Sequence, residues 1–274
     1  MFKPLNLNSI SKGEGIKINA QKCLDSTPMQ KSNYQTAVDF KASMKQDLVA
    51  NNFYINELDN IIKEIDGLEG QEFADKAYEK LVKLFNLEGS APEKITWMEN
   101  EGRAIVGDYA FFDNSLRLYS DYFNKMDKAT RIGIIAHELT HCKQLTNMLR
   151  TDGIRIEKIA NAYATSDARA MLVNNDAVKK MYQEAVAKGK GKEFIAELIM
   201  RGTAKTTNEL LNAHKNTLRM PKHAFTSPNG KKAQQDLIAQ YNYNGADLKN
   251  YQDNPLEKEA MRVENIIKRI YISK

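Results

Sequence analysis

Apolar residues recur at helical spacing over most of this chain and alternate with polar ones over one short region. Ile132, Ile135, Ala136, Leu139 and Cys142 make one face of a run, Lys128 to Leu149, that has no proline and a single glycine. With Asp127 as an N-cap, the spacing predicts a helix over 128–149. Helical patterns also cover Gln46 to Ile65 and Glu72 to Phe85, ending near Gly67 and Gly89. Ile95 to Glu99 and Arg103 to Phe112 read as strands, Asp113-Asn114 as a turn, and Ser115 to Tyr119 as an alternating strand. Beyond Arg150 the pattern predicts helices near 154–163, 165–186, 192–201 and 203–218, with a loop over Lys188 to Lys192. Met220 to Lys232 holds Pro221, Pro228 and Asn229-Gly230 and reads as a loop. A short helix over Gln234 to Tyr241 follows, then a final one from about Leu256 to Ile270. Asp253 or Asn254 caps that last helix, and Pro255 suits its first position.

Strands followed by many helices predict an α+β fold that is mostly helical. The chain of 274 residues is expected to divide into a poorly ordered tail (1–35), a lobe over 36–150 and a helical lobe over 151–274. The tail is rich in Lys, Asn, Ser and Gln and lacks the apolar core of a secretory signal. No stretch approaches 18 apolar residues, so no membrane span is expected. The cytoplasm is then the default location, with signal-independent export still open. Lys+Arg 40 against Asp+Glu 35 is a mild excess spread along the chain, which argues against a nucleic-acid or membrane partner. Cys23 and Cys142 do not make a disulfide framework.

Chemistry enters at His137-Glu138-Leu139-Thr140-His141, an H-E-x-x-H pattern inside the 128–149 helix. Histidines four apart on a helix share a face, with Cβ atoms roughly 5–6 Å apart, so both rings can reach one ion. Glu138 flanks that ion and stands where a general base takes a proton from metal-bound water. Gly133 lies one turn earlier, where a small residue leaves room for a metal or a close neighbour. The bland alternative is an exposed helix with two solvated histidines. A third ligand must come from elsewhere. A compact H-E-x-x-H-x-x-G-x-x-H site is excluded, because Gln144 and Asn147 stand where Gly and His are needed. A carboxylate of the C-terminal helix, Glu259 or Glu257, would complete a three-ligand site. The two lie about 200° apart around a helix, so only one can face the ion.

These residues resemble the gluzincin branch of the zinc metallopeptidases, in which a glutamate directly before alanine follows H-E-x-x-H on a later helix. The pattern Tyr251-x-x-x-Pro255-x-Glu257-x-Glu259-Ala260, with Gln144 after the second histidine, also resembles small bacterial and phage zincin-like domains. The likeness covers two blocks, roughly 104–149 and 251–264. It implies Zn²⁺ held by His137, His141 and Glu259, with Glu257 as the other candidate ligand. Thermolysin-like members carry an aspartate four residues after the ligand glutamate, which orients a ligand histidine; here Val263 stands there, with Glu264 next.

The resemblance further implies a zincin-like fold: a small hairpin or sheet beside the metal helix, a helical lower lobe, and a peptide or protein substrate in the cleft. Part of the 104–119 hairpin would offer its edge to the substrate backbone. The implied activity is peptide-bond hydrolysis with Glu138 as base and Tyr109, Tyr251 or His223 as the oxyanion donor. Two other classes stay open: a non-catalytic zinc-stabilised protein and a helical partner-binding protein.

Overall fold

The computed structural model describes residues 55–99, 106–243 and 248–273. The tail expected over 1–35, with Cys23, lies outside them, as do the first residues of the helix expected from Gln46 and of the strand expected from Arg103. Among the described residues the chain is mostly helical with one small mixed sheet, the α+β class that the pattern predicts.

Helices α1 (Ile55–Ile65) and α2 (Gly70–Leu84) lead into strands β1 (Ile95–Met98), β2 (Gly107–Ala110) and β3 (Ser115–Tyr119). A single turn, α3 (Ser120–Phe123), precedes the central helix α4 (Lys128–Leu149). Next come α5 (Ile156–Asn174), α6 (Asp176–Ala187), α7 (Gly191–Ala213) and α8 (Lys215–Arg219). The last three helices are α9 (Pro228–Tyr241), α10 (Leu248–Asp253) and α11 (Pro255–Ile272).

In the sheet, β3 lies between β1, to which it is parallel, and β2, to which it is antiparallel. Asn114 makes the hairpin turn with φ +50°, a left-handed conformation that asparagine tolerates better than most residues. Tyr119 N–H donates to Val106 O at 2.9 Å. Backbone pairing alternates along an antiparallel ladder, so Asp108 and Ala110 also turn their groups toward β3, opposite Arg117 and Ser115. Gly107 and Tyr109 therefore turn theirs to the outer edge of β2.

Helix α4 begins and ends where the pattern predicts. Asp127 caps it, accepting from Thr130 N–H at 2.8 Å. Seventeen of its 22 residues are buried, so it is the central rod of the molecule rather than a surface helix with one apolar stripe. Helices α2, α9 and α11 and strand β2 pack around it. Helix α11 starts at Pro255 behind the cap Asn254, whose side chain accepts from Leu256 N–H at 2.9 Å.

The helix expected over 203–218 breaks at His214 into α7 and α8, and α10 was not expected; three other boundaries differ for a clear local reason. Helix α5 runs through 164 and ends only at Asn175, whose side chain caps α6 by accepting from Val178 N–H at 3.1 Å. Helix α7 runs through Gly202, because that glycine marks a close crossing. A Cβ there would stand 3.0 Å from the Cβ of Ala164 on α5. The loop expected to Lys232 ends at Ser227, which caps α9 by accepting from Gly230 N–H at 3.1 Å, with Pro228 in the first turn.

One apolar cluster extends from Leu58 on α1 to Ile270 on α11 and includes Leu116, Leu118, Ile132, Ile135, Leu139 and Leu145. A smaller one, with Val178, Ala185, Phe194 and Leu198, holds α5, α6 and α7 together. Helix α11 buries Leu256, Glu257, Ala260, Val263, Glu264, Ile267 and Ile270 along one stripe. Gly133 lets α4 and α11 approach: a Cβ there would lie 2.8 Å from Lys268 Cγ and 3.1 Å from Glu264 Cγ.

Candidate metal centre

His137 and His141 project from one face of α4 toward α11, and their Nε2 atoms stand 3.1 Å apart. Their other ring nitrogens are already engaged. His137 Nδ1 is 3.0 Å from Glu264 Oε2, and His141 Nδ1 is 3.0 Å from Gln144 Oε1. A carboxylate and an amide oxygen can only accept, so each Nδ1 carries the proton and donates it. In the neutral rings both Nε2 atoms then present lone pairs to the same point, which serves a cation and not a hydrogen bond between them.

Glu257 closes the third side. Its Oε2 lies 3.6 Å from His137 Nε2 and its Oε1 3.6 Å from His141 Nε2, beyond hydrogen-bond length. Its side chain is fully buried, and neither oxygen has a hydrogen-bond partner. A carboxylate left without a hydrogen bond in the interior is costly unless positive charge, on the rings or from an ion, meets it. Atoms bound about 2.0–2.1 Å from a common ion in tetrahedral fashion are roughly 3.3 Å apart, close to the three separations found here. His137, His141 and Glu257 are a buried group that can hold a metal ion.

The charges around the group call for positive charge as well. Glu138, Glu257 and Glu264 all converge on the two rings. Burial would lower both imidazoles, but the carboxylates of Glu257 and Glu264 outweigh it and hold His137 up to about 10. Burial likewise opposes ionisation of Glu257, yet the two rings keep it well below the usual carboxylate range. Lys268 supplies a counter-charge to Glu264 from one turn further along α11.

Glu138 does not join the ligand group. Its Oε2 accepts from the outer-edge N–H of Tyr109 at 2.8 Å, and its Oε1 is buried without a partner. Burial raises its carboxyl to about 7, partly offset by the two imidazoles. No family model, curated protein or solved structure matches the chain.

The remaining expected residues fall in different places. Glu259 is not at the histidines. Its Oε2 accepts from Gln144 Nε2 at 2.8 Å and from Lys232 Nζ at 2.6 Å. The reason is helical phase: Glu257 and Glu264 are seven residues apart and share one flank of the α11 stripe, whereas Glu259 lies on its other flank. Tyr109 contributes its backbone N–H to Glu138, but its hydroxyl donates to Asn114 Oδ1 at 2.9 Å and is not available as an oxyanion donor. His223 lies past the end of α4, where its N–H donates to Arg150 O and its carbonyl accepts from Asp152 N–H. Tyr251 does reach the site. Its hydroxyl is buried without a hydrogen-bond partner, and burial together with the charge of Glu257 pushes its pKa far up.

Three contributors escaped the sequence reading in whole or part. Tyr243 has its ring centroid 6.3 Å from that of Tyr251 and also feels the charge of Glu257. Nothing in the pattern of its neighbours singles it out. Glu264 orients His137, a role whose expected position is four residues past the ligand glutamate; here it comes seven past Glu257, two turns along the same flank. Gln144, which the sequence offers only by its place after the second histidine, orients His141.

Proposed function

We propose that this chain is a zinc-dependent metallopeptidase whose ligands are His137, His141 and Glu257 and whose general base is Glu138. The observation that carries the reading is the division of labour among four buried groups. Three point donor atoms at one place, and the fourth, Glu138, stands beside them with one oxygen held and the other free. Two histidines and one carboxylate suit zinc and leave a coordination position open for water or substrate. When bound, zinc supplies Lewis acidity toward that water and the scissile carbonyl.

The chain's own residues do the rest. Tyr109 N–H fixes Oε2 of Glu138, so Oε1 takes the proton of the attacking water and delivers it to the leaving amine. The Tyr251 hydroxyl is the donor for the developing oxyanion. All four residues of β2 are buried and the Tyr109 N–H is committed to Glu138, so of its outer edge only the Tyr109 carbonyl and the groups of Gly107 are left to pair with an extended peptide.

A second reading has a specific observation in its favour. His137, Glu138, His141 and Glu257 are each at most 4% exposed, which suits a metal that ties α4 to α11 without turnover. Glu138 separates the two, since a purely structural ion has no use for a non-ligating buried carboxylate.

The deciding experiment measures bound metal by elemental analysis and hydrolysis of a denatured protein substrate by mass spectrometry, in wild type and Glu138→Gln. About one zinc in both proteins, with cleavage only in wild type, supports the peptidase. Zinc in both and cleavage in neither supports the structural tie. No zinc in wild type sinks both.

A further inference from the structure

Each ligand histidine is backed by a chain of contacts that ends on a lysine, and the two chains differ by one residue. Behind His137 stand Glu264 and then Lys268, both on α11. Behind His141 stand Gln144 on α4, Glu259 on α11 and Lys232 on α9. In the second chain a neutral amide is inserted between ring and carboxylate. We propose that Glu259, held by Lys232, is a positioning residue that locks the amide of Gln144 and thereby fixes His141 as a metal ligand. The proposal rests on the metal reading above and assigns Glu259 a role other than ligand.

The argument is one of donors and acceptors. Gln144 Nε2 has two hydrogens, and both are taken: one by Leu256 O at 3.1 Å, the other by Glu259 Oε2 at 2.8 Å. With the amide nitrogen committed, Oε1 must face His141, where it accepts from Nδ1 at 3.0 Å. That bond keeps the proton on Nδ1 and leaves the Nε2 lone pair free for an ion. Reversing the amide would aim an N–H at Nδ1, favour the opposite tautomer and close Nε2 to metal. Glu259 opposes that reversal because a carboxylate only accepts. Lys232 in turn pairs with both Glu259 and the buried Asp236, so α9 holds Glu259 in place.

The order of groups yields a swap test. Gln144→Glu puts a carboxylate against Glu259 at the distance of a hydrogen bond, and the two repel. Adding Glu259→Gln restores an alternating order: the new amide donates to residue 144 and accepts from Lys232. Affinity for zinc is read by competition with a chromogenic chelator, and ligand geometry by the visible spectrum of the cobalt-loaded protein.

Glu259→Ala is expected to weaken zinc about 10-fold or more and to alter the cobalt spectrum, in the range typical of groups behind a ligand. Glu259→Gln is expected to stay within about threefold of wild type, because it keeps an acceptor oxygen. Gln144→Glu is expected to lose more affinity than Glu259→Ala, and the double variant to recover part of that loss, since Leu256 O still faces an acceptor. Wild-type affinity and spectrum in Glu259→Ala overturn the proposal, as does a double variant no better than Gln144→Glu.

Folding is controlled by circular dichroism of each metal-free variant. Should a variant not fold, or should wild type bind no zinc and the metal reading fall, nitrogen-15 spectra of the metal-free wild type decide the relay alone. Recorded at a pH alkaline enough for the rings to be neutral, a proton on His141 Nδ1 with Nε2 bare supports it, and the opposite tautomer overturns it.

Discussion

At the scale of single residues, the choice between Glu257 and Glu259 has measurable consequences. Glu257 has two buried, unpartnered oxygens at 3.6 Å from the ring nitrogens, whereas Glu259 is satisfied by Gln144 and Lys232. Glu257→Ala is therefore expected to leave purified protein without zinc. Glu259→Ala is expected to take up zinc at saturating metal, though more weakly. Elemental analysis after dialysis against a fixed free-zinc level distinguishes them, and retention of zinc by Glu257→Ala would sink the ligand assignment.

Glu138→Gln is the complementary case. Glutamine keeps an oxygen for Tyr109 N–H and loses the proton acceptor, so hydrolysis is expected to fall by about 10²–10⁴-fold with zinc content unchanged. Full activity in that variant would remove Glu138 from the mechanism. His137, Glu138 and His141 were legible because a five-residue pattern on one helix carries its own geometry. The carboxylate that joins the two rings was not, because the glutamate-before-alanine resemblance pointed to Glu259 and outweighed the helix phase. The same sequence contained the better guide: the stripe Leu256, Ala260, Val263, Ile267, Ile270 sets the inward face, and Glu257 and Glu264 share one flank of it.

At the scale of elements, the site depends on how closely α4 and α11 approach. Gly133 sets that distance under Glu264 and Lys268. Gly133→Ala gains about 1 kcal/mol of helix propensity but inserts a methyl group into a gap already filled, at a cost of about 1–3 kcal/mol. The expected net is a loss of up to about 2 kcal/mol, together with weaker zinc binding as Glu264 is pushed from His137. Gly67 is the control. Nothing lies within 4 Å of a Cβ built there and its φ is ordinary, so Gly67→Ala is expected to be neutral or slightly stabilising. Thermal melts and zinc titrations of both variants check the contrast; equal behaviour would show that the crossing at Gly133 does not matter.

The long helices were readable from the pattern, and so were the ends marked by caps, Asp127 for α4 and Asn254-Pro255 for α11, whereas the short α3 and α10 and the break between α7 and α8 were not. The ends that were misplaced turn on tertiary contact or on a cap mistaken for a loop. Gly202 looks like a breaker until α5 is seen crossing it at Ala164, and Ser227-Pro228 looks like a loop until the serine is seen capping Gly230.

At the scale of the molecule, an ion at His137, His141 and Glu257 links the central helix to the last one across more than a hundred residues of chain. The metal is then a long-range crosslink between elements that otherwise meet through apolar contact, and its removal should be felt by the whole fold. A ligand present at about 100 times its dissociation constant stabilises the native state by about 2.7 kcal/mol. For a chain of this size that corresponds to a rise in Tm of about 5 °C. Wild type melted with zinc and with a strong chelator is expected to show this difference, and Glu257→Ala to show none. The size of the chelator effect in Glu138→Gln is informative in a second way. If Glu138 is a base and no ligand, the metal-dependent shift in that variant should match wild type while hydrolysis is lost. If the shift shrinks along with activity, Glu138 is holding the metal, and the division of labour among the four buried groups would have to be redrawn.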